Sequence, residues 1–164
     1  MEDSLFSSGT EPNPARFGYY TSLFTAFLTL FTFALAVATP PLSGPFCKGP
    51  CFEYPYTDIA SRFPRNYLWM NPAMLLTICY LLMMTALNHV TSGGKKLFST
   101  ISLVFAVMAT LILTADYFIQ VSVIQPSLIR GETDGIALLS QFNPHGIFIV
   151  LEELGFLLMN ISGS

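Results

Sequence analysis

FGYYTSLFTAFLTLFTFALAVAT, residues 17–39, contains no charged side chain. A bilayer core about 30 Å thick takes roughly 20 helical residues at about 1.5 Å each, so this run is long enough to cross one. Tyr19 and Tyr20 stand near its start, where amphipathic rings favour the membrane–water boundary. Ala34, Ala36 and Ala38 also offer the small-residue spacing of a secretory cleavage site. The long apolar core, the acidic residues ahead of it and the single Arg16 favour a retained span instead.

The rest of the chain shares this composition. Of 164 residues, 52% are hydrophobic and only 10% charged, against about 25% charged in an ordinary soluble domain. Too few charged side chains remain to cover a water-facing surface, and the 15 Phe and 7 Tyr suit a lipid environment. The net charge of −3 involves few groups and forms no basic stripe, so nucleic acid is not an expected partner. Residues 1–16, polar and containing Pro12 and Pro14, are expected to be a flexible tail. Residues 17–164 should form a single transmembrane helical domain.

Pro40 and Pro41 stop the first span, and a long loop rich in Pro, Gly and aromatic residues follows, over 40–71. Within it Cys47 and Cys51 frame CKGPC, where Gly49 and Pro50 provide a turn. They form a candidate disulfide if the loop faces an oxidising compartment, the alternative being two free thiols. Two cysteines without a nearby His make only half a zinc site, so no metal is expected. Phe52, Tyr54, Tyr56, Phe63, Tyr67 and Trp69 should line the headgroup layer or cap the bundle, and Arg62 and Arg65 should anchor at the interface.

Asn71-Pro72 has the chemistry of a helix start, with Asn capping free amides and Pro in the first turn, and predicts a second span over 72–90. A short hinge carrying Gly93, Gly94, Lys95 and Lys96 leads into a third apolar stretch, 97–125, which Pro126 is expected to end. Residues 126–142 read as a loop with a short interfacial helix near 136–139. Asn143-Pro144 repeats the earlier start signal and predicts a fourth helix over 144–161, somewhat short for a full crossing. The fold class expected is therefore all-α, an integral membrane bundle of four transmembrane helices over 17–39, 72–90, 97–125 and 144–161.

Charge inside such helices needs a reason, because an ionisable group at membrane depth costs at least about 2.5 kcal/mol and normally faces a partner or a polar cavity. Glu152 and Glu153 are adjacent carboxylates in the fourth apolar run. On a helical wheel His145 falls within about 20° of Glu152, and Glu153 pairs in the same way with Asn160. Asp116 and Gln120, four apart, share a face of the third helix. A count of residues from Leu97 places Asp116 near the boundary rather than at depth. The candidate polar site is Asp116, Gln120, His145, Glu152, Glu153 and Asn160. One His with several carboxylates suits a proton relay, a cation site or metal-assisted hydrolysis, and a set of interhelical hydrogen bonds is the plainer alternative. No HExxH, GxSxG or glycine-rich phosphate loop is present, no cofactor is expected, and no catalytic residue is assigned. Gly146 and Gly155 read as packing glycines.

Arg16, Lys95 and Lys96 fall on one side of the membrane and Lys48, Arg62, Arg65 and Arg130 on the other. The count of basic residues does not orient the chain. The short lysine-bearing hinge and an exterior first loop favour a cytoplasmic N-terminus.

Three segments, RFPRNYLWMNPAM, LTADYFIQVSVIQPSLIRGE and LLSQFNPHGIFIVLEELG, resemble small multi-pass integral membrane proteins of prokaryotic type, an uncharacterised family. The resemblance implies a multi-pass helical fold and further apolar sequence after the glutamate helix. It assigns no activity and no functional residue. The functional expectation is a multi-pass protein of the cell membrane, embedded in a lipid bilayer, that binds or transports a small solute, ion or proton through a polar site between the third and fourth helices. The alternative is an intramembrane enzyme using carboxylate acid–base or metal-assisted chemistry.

Overall fold

The computed structural model describes residues 13–39, 42–44, 47–49 and 51–164. The expected tail lies outside the described residues as far as residue 12. Its last part is helical, because α1 spans Pro14–Ala38. The Asn13 side chain accepts from the amides of Ala15 at 3.0 Å and Arg16 at 3.3 Å, with Pro14 in the first turn. This is the Asn-Pro helix start. Within α1 the hydroxyls of Ser22, Thr29 and Thr39 donate to carbonyls four residues back, which satisfies them without a partner from another helix. Only Thr25, Leu28 and Thr32, spaced three and four apart, are buried, so one seam of α1 meets the protein.

That seam packs on α2, Met70–Val90. The helix begins two residues before the expected start. A 3-10 turn, Arg65–Tyr67, leads directly into it, and Asn71 lies inside the first turn rather than capping it. After a 3-10 turn at Gly93–Lys95, α3 runs back as Lys96–Ile119. Gly93 takes a φ of +65°, a backbone region open to glycine at little cost. Lys96 Nζ donates to the Asn88 side-chain oxygen at 3.1 Å, which closes the hinge. Between α2 and α3, Thr110 Oγ1 donates to the Thr77 carbonyl at 3.2 Å, and the Thr77 and Thr114 hydroxyls share a hydrogen bond of 2.8 Å. Ala106 and Ala109 are fully buried, as small residues are where helix backbones approach closely.

Pro126 does not end the third helix. Having no amide hydrogen, it cannot continue the α-helical ladder. The turn before it, Gln120–Ile124, widens to a π form in which Gln125 N–H bonds the Gln120 carbonyl five residues back. Pro126 then occupies the first turn of α4, Gln125–Arg130. Gly131, at φ +76°, stops that helix with two crossed bonds, Gly131 N–H to Leu128 and Glu132 N–H to Ser127. The short α5, Ile136–Leu139, follows, near the expected interfacial helix. The chain closes with α6, Ile147–Ser162.

All described elements are helical or irregular. Three stretches, Pro14–Ala38, Arg65–Val90 and Gly93–Arg130, are long and apolar enough to cross a membrane. The expectation of four is corrected to three. The 16 residues of α6 reach about 24 Å at about 1.5 Å per residue, short of a bilayer core. The shortfall arises at Asn143-Pro144. Asn143 is buried and ties its Nδ2 to the Ala137 carbonyl at 2.8 Å and its Oδ1 to the His145 amide at 3.0 Å. Residues 143–146 are thereby consumed in turns, and the helix starts three residues later than expected.

In cross-section α1 lies on α2, α2 on α3, and α3 on α6. Successive long helices run in opposite directions, so the loops after α1 and after α4 meet at one end and the hinge lies at the other. The middle of α2 meets the end of α6, where Tyr80 OH reaches Ser162 Oγ at 2.6 Å and donates to the Met159 carbonyl at 3.1 Å. The loop end holds an aromatic-rich core of Ile59, Tyr67, Ile124, Leu128, Ile136, Phe142 and Phe148. Elsewhere large apolar side chains face outward, among them Phe27, Leu30, Phe33, Phe98, Leu111 and Leu157.

Candidate functional site

Burial separates the expected site residues into two groups. Asp116 is 3% exposed and Gln120 1%, so both face inward on α3. Neighbouring side chains bury Asp116 independently of the near-boundary depth expected for it by counting from Leu97. Its Oδ2 has no hydrogen-bond partner among the described residues. Gln120 is fully engaged. Its Oε1 accepts from the Gln141 amide at 3.2 Å, and its Nε2 donates to the Leu139 carbonyl. It clamps the α5–α6 connection to the third helix.

On α6 the two glutamates diverge. Glu152 is half-buried and accepts a hydrogen bond of 2.9 Å from the Tyr117 hydroxyl. Glu153, one step of about 100° further round the helix, is exposed. Tyr117 is held by an edge contact to Trp69, centroids 5.4 Å apart, and a tilted one to Phe148 at 6.0 Å.

His145 and Asn160 do not join them. The pairing of His145 with Glu152 on one helical face is corrected, since His145 sits in the turn before Ile147 and is exposed. A helical wheel has no meaning there. Asn160 is also exposed and donates to the Phe156 carbonyl of its own helix at 2.9 Å. Its pairing with Glu153 is therefore a pairing on the outer face. Cys47 and Cys51 are joined by a disulfide at the loop end, and Cys79 is a buried free thiol. Among the described residues, no three of His, Cys, Asp and Glu gather closely enough to hold one metal ion.

Several polar groups are parts of this end that the pattern did not flag. Gln125 is 1% exposed, and neither of its amide atoms has a hydrogen-bond partner among the described residues. By α-helical periodicity it falls about 140° from Gln120, but the π turn adds a residue to the cycle and brings both inside. The buried Tyr67 hydroxyl faces the amides of Gln141 and Gln125 without closing a hydrogen bond to either. Asn66 is 3% exposed; its Nδ2 is unpartnered and its carbonyl accepts from Gln141 Nε2 at 3.3 Å. A sequence signal existed only for Tyr117, as the neighbour of a carboxylate within an apolar run.

The site is thus a Tyr117–Glu152 hydrogen bond between α3 and α6 with the buried Asp116 beside Tyr117 in sequence, and a cluster of neutral amides and a phenol toward the loop end. Such groups can exchange a proton or bind a small polar solute. No protein-family model, curated protein or solved structure matches the chain.

Proposed function

We propose that this chain is a multi-pass integral protein of the cell membrane that binds or passes a proton or small solute at the polar site between α3 and α6. Membership in the small prokaryotic-type family that its sequence resembles is part of the same proposal. The supporting observation is the Tyr117–Glu152 hydrogen bond beside the buried, unpartnered oxygen of Asp116. In a bundle whose helices are joined mainly through threonines, alanines and glycine, two inward carboxylates are an expense that interhelical adhesion does not require. Glu152 supplies an exchangeable proton site, Tyr117 orients it, and Asp116 offers the next acceptor.

Proton flux into vesicles tests this. Full-length protein reconstituted with an internal pH dye and driven by a potassium diffusion potential should acidify the lumen faster than protein-free vesicles. Glu152→Gln and Asp116→Asn should abolish the excess rate while keeping the native melting temperature in detergent, and Tyr117→Phe should reduce it. If both amide variants match the native protein in flux and in stability, the carboxylates are interhelical contacts and the proposal fails.

A further inference from the structure

A cleft of about 330 Å³ opens at the loop end between the end of α1 and the start of α6. Ala36, Trp69, Phe142 and Ile149 form its apolar walls, and Thr39, Ser43, Asn66 and Gln141 supply its polar groups. Among the described residues, no charged side chain lines it. Of the residues lining it, Asn66 is 3% exposed and its Nδ2 has no hydrogen-bond partner among the described residues. A buried polar atom left without a partner costs about 1–3 kcal/mol, so an occupant that can bond to the Asn66 amide is favoured. We propose that this cleft binds the head of a neutral glycerolipid, with its hydroxyl and ester carbonyl oxygens meeting the amides and hydroxyls and its chains lying outside the protein.

Three features select that class. Amides and hydroxyls both donate and accept, which matches a head carrying hydroxyls and carbonyls. The uncharged lining offers no counter-ion to a phosphate or carboxylate. The volume lies at the low end of small-molecule pockets, about 300–1,000 Å³, enough for a head and too small for a whole lipid. Phe33 and Val37 on α1 and Val150 on α6 flank the walls and are exposed, so acyl chains have apolar surface to follow. The inference rests on the membrane reading above but not on the proton site.

Trp69 lines the cleft and is the chain's only tryptophan, so its emission reports occupancy. Full-length protein in phosphatidylcholine nanodiscs is titrated with brominated diacylglycerol, brominated phosphatidylcholine or brominated phosphatidylglycerol at equal mole fraction. The diacylglycerol should quench saturably and about threefold more effectively than either phospholipid. Asn66→Leu should remove that preference. Ser43→Ala, which leaves the buried groups intact, should weaken it should Asn66→Leu fail to fold. Equal quenching by all three lipids, rising in proportion to mole fraction, would overturn the assignment while leaving the membrane reading standing. A saturable emission shift caused by aqueous glycerol, without any preference among lipids, would also overturn it and assign the cleft to a free polyol. Failure of the chain to enter the nanodisc would overturn this inference and the membrane reading together.

Discussion

The first and last helices, α1 and α6, are held in different ways. Helix α1 is 25 residues long and buries only Thr25, Leu28 and Thr32. Helix α6 is 16 residues long, carries two glutamates and seats Phe148, Gly155, Leu158 and Ser162 against its neighbours. The long helix has the length to cross a bilayer unaided, whereas the short one is fixed in place by particular contacts. Length and apolarity therefore position α1, and complementarity positions α6.

The same substitution made in each helix should expose this difference. At Gly155 an added Cβ would lie 2.5 Å from Leu113 Cγ and Cδ2, and Leu113 is fully buried. Gly155→Ala should destabilise by about 1–3 kcal/mol, the usual cost of overpacking, as read by denaturant unfolding in detergent. Leu113→Ala in the same chain should recover part of the loss. A native-like Gly155→Ala would mean that α6 slides, and the contrast with α1 would disappear.

The Asn-Pro steps that precede these two helices, at Asn13 and Asn143, sharpen the comparison. Asn143→Ala strands the Ala137 carbonyl and the His145 amide ahead of α6 and should cost about 1–3 kcal/mol. Asn13→Ala removes only an exposed cap and should cost about 1 kcal/mol or less. Equal losses would show that the two helices depend equally on their starts.

Smaller effects are expected on α1 itself. Thr32 Oγ1 and Thr25 Oγ1 are buried without partners, so Thr32→Val should be neutral or stabilising by less than about 1 kcal/mol in the same unfolding assay. Least of all, Gly18→Ala places a Cβ 3.1 Å from Ala86 Cβ. There a small steric penalty is offset by a helix-propensity gain of up to about 1 kcal/mol, and the melting temperature should barely move.

Much of the architecture was legible in the residue pattern. Three long apolar runs announced themselves, and the four-residue spacing of Asp116 and Gln120 correctly put both on one face. The misreadings have local causes. Asn143-Pro144 resembles Asn13-Pro14 in sequence, but its asparagine is drawn into a turn by the Ala137 carbonyl, so the expected fourth span lost its first residues and His145 lost its place on the wheel. Gln125 escaped notice because a π turn ahead of Pro126 changed the period that assigns faces.

Sequence by itself determined that the chain is helical and where three membrane-length helices lie. Backbone hydrogen bonds in a helix are local, and a charge-free run can be recognised without reference to anything distant. Only the tertiary structure decided which of two adjacent glutamates turns inward. Glu152 and Glu153 are chemically identical and about 100° apart on their helix, and the choice between them was made by where Gly155 meets Leu113 and where Tyr117 stands to donate its hydrogen bond.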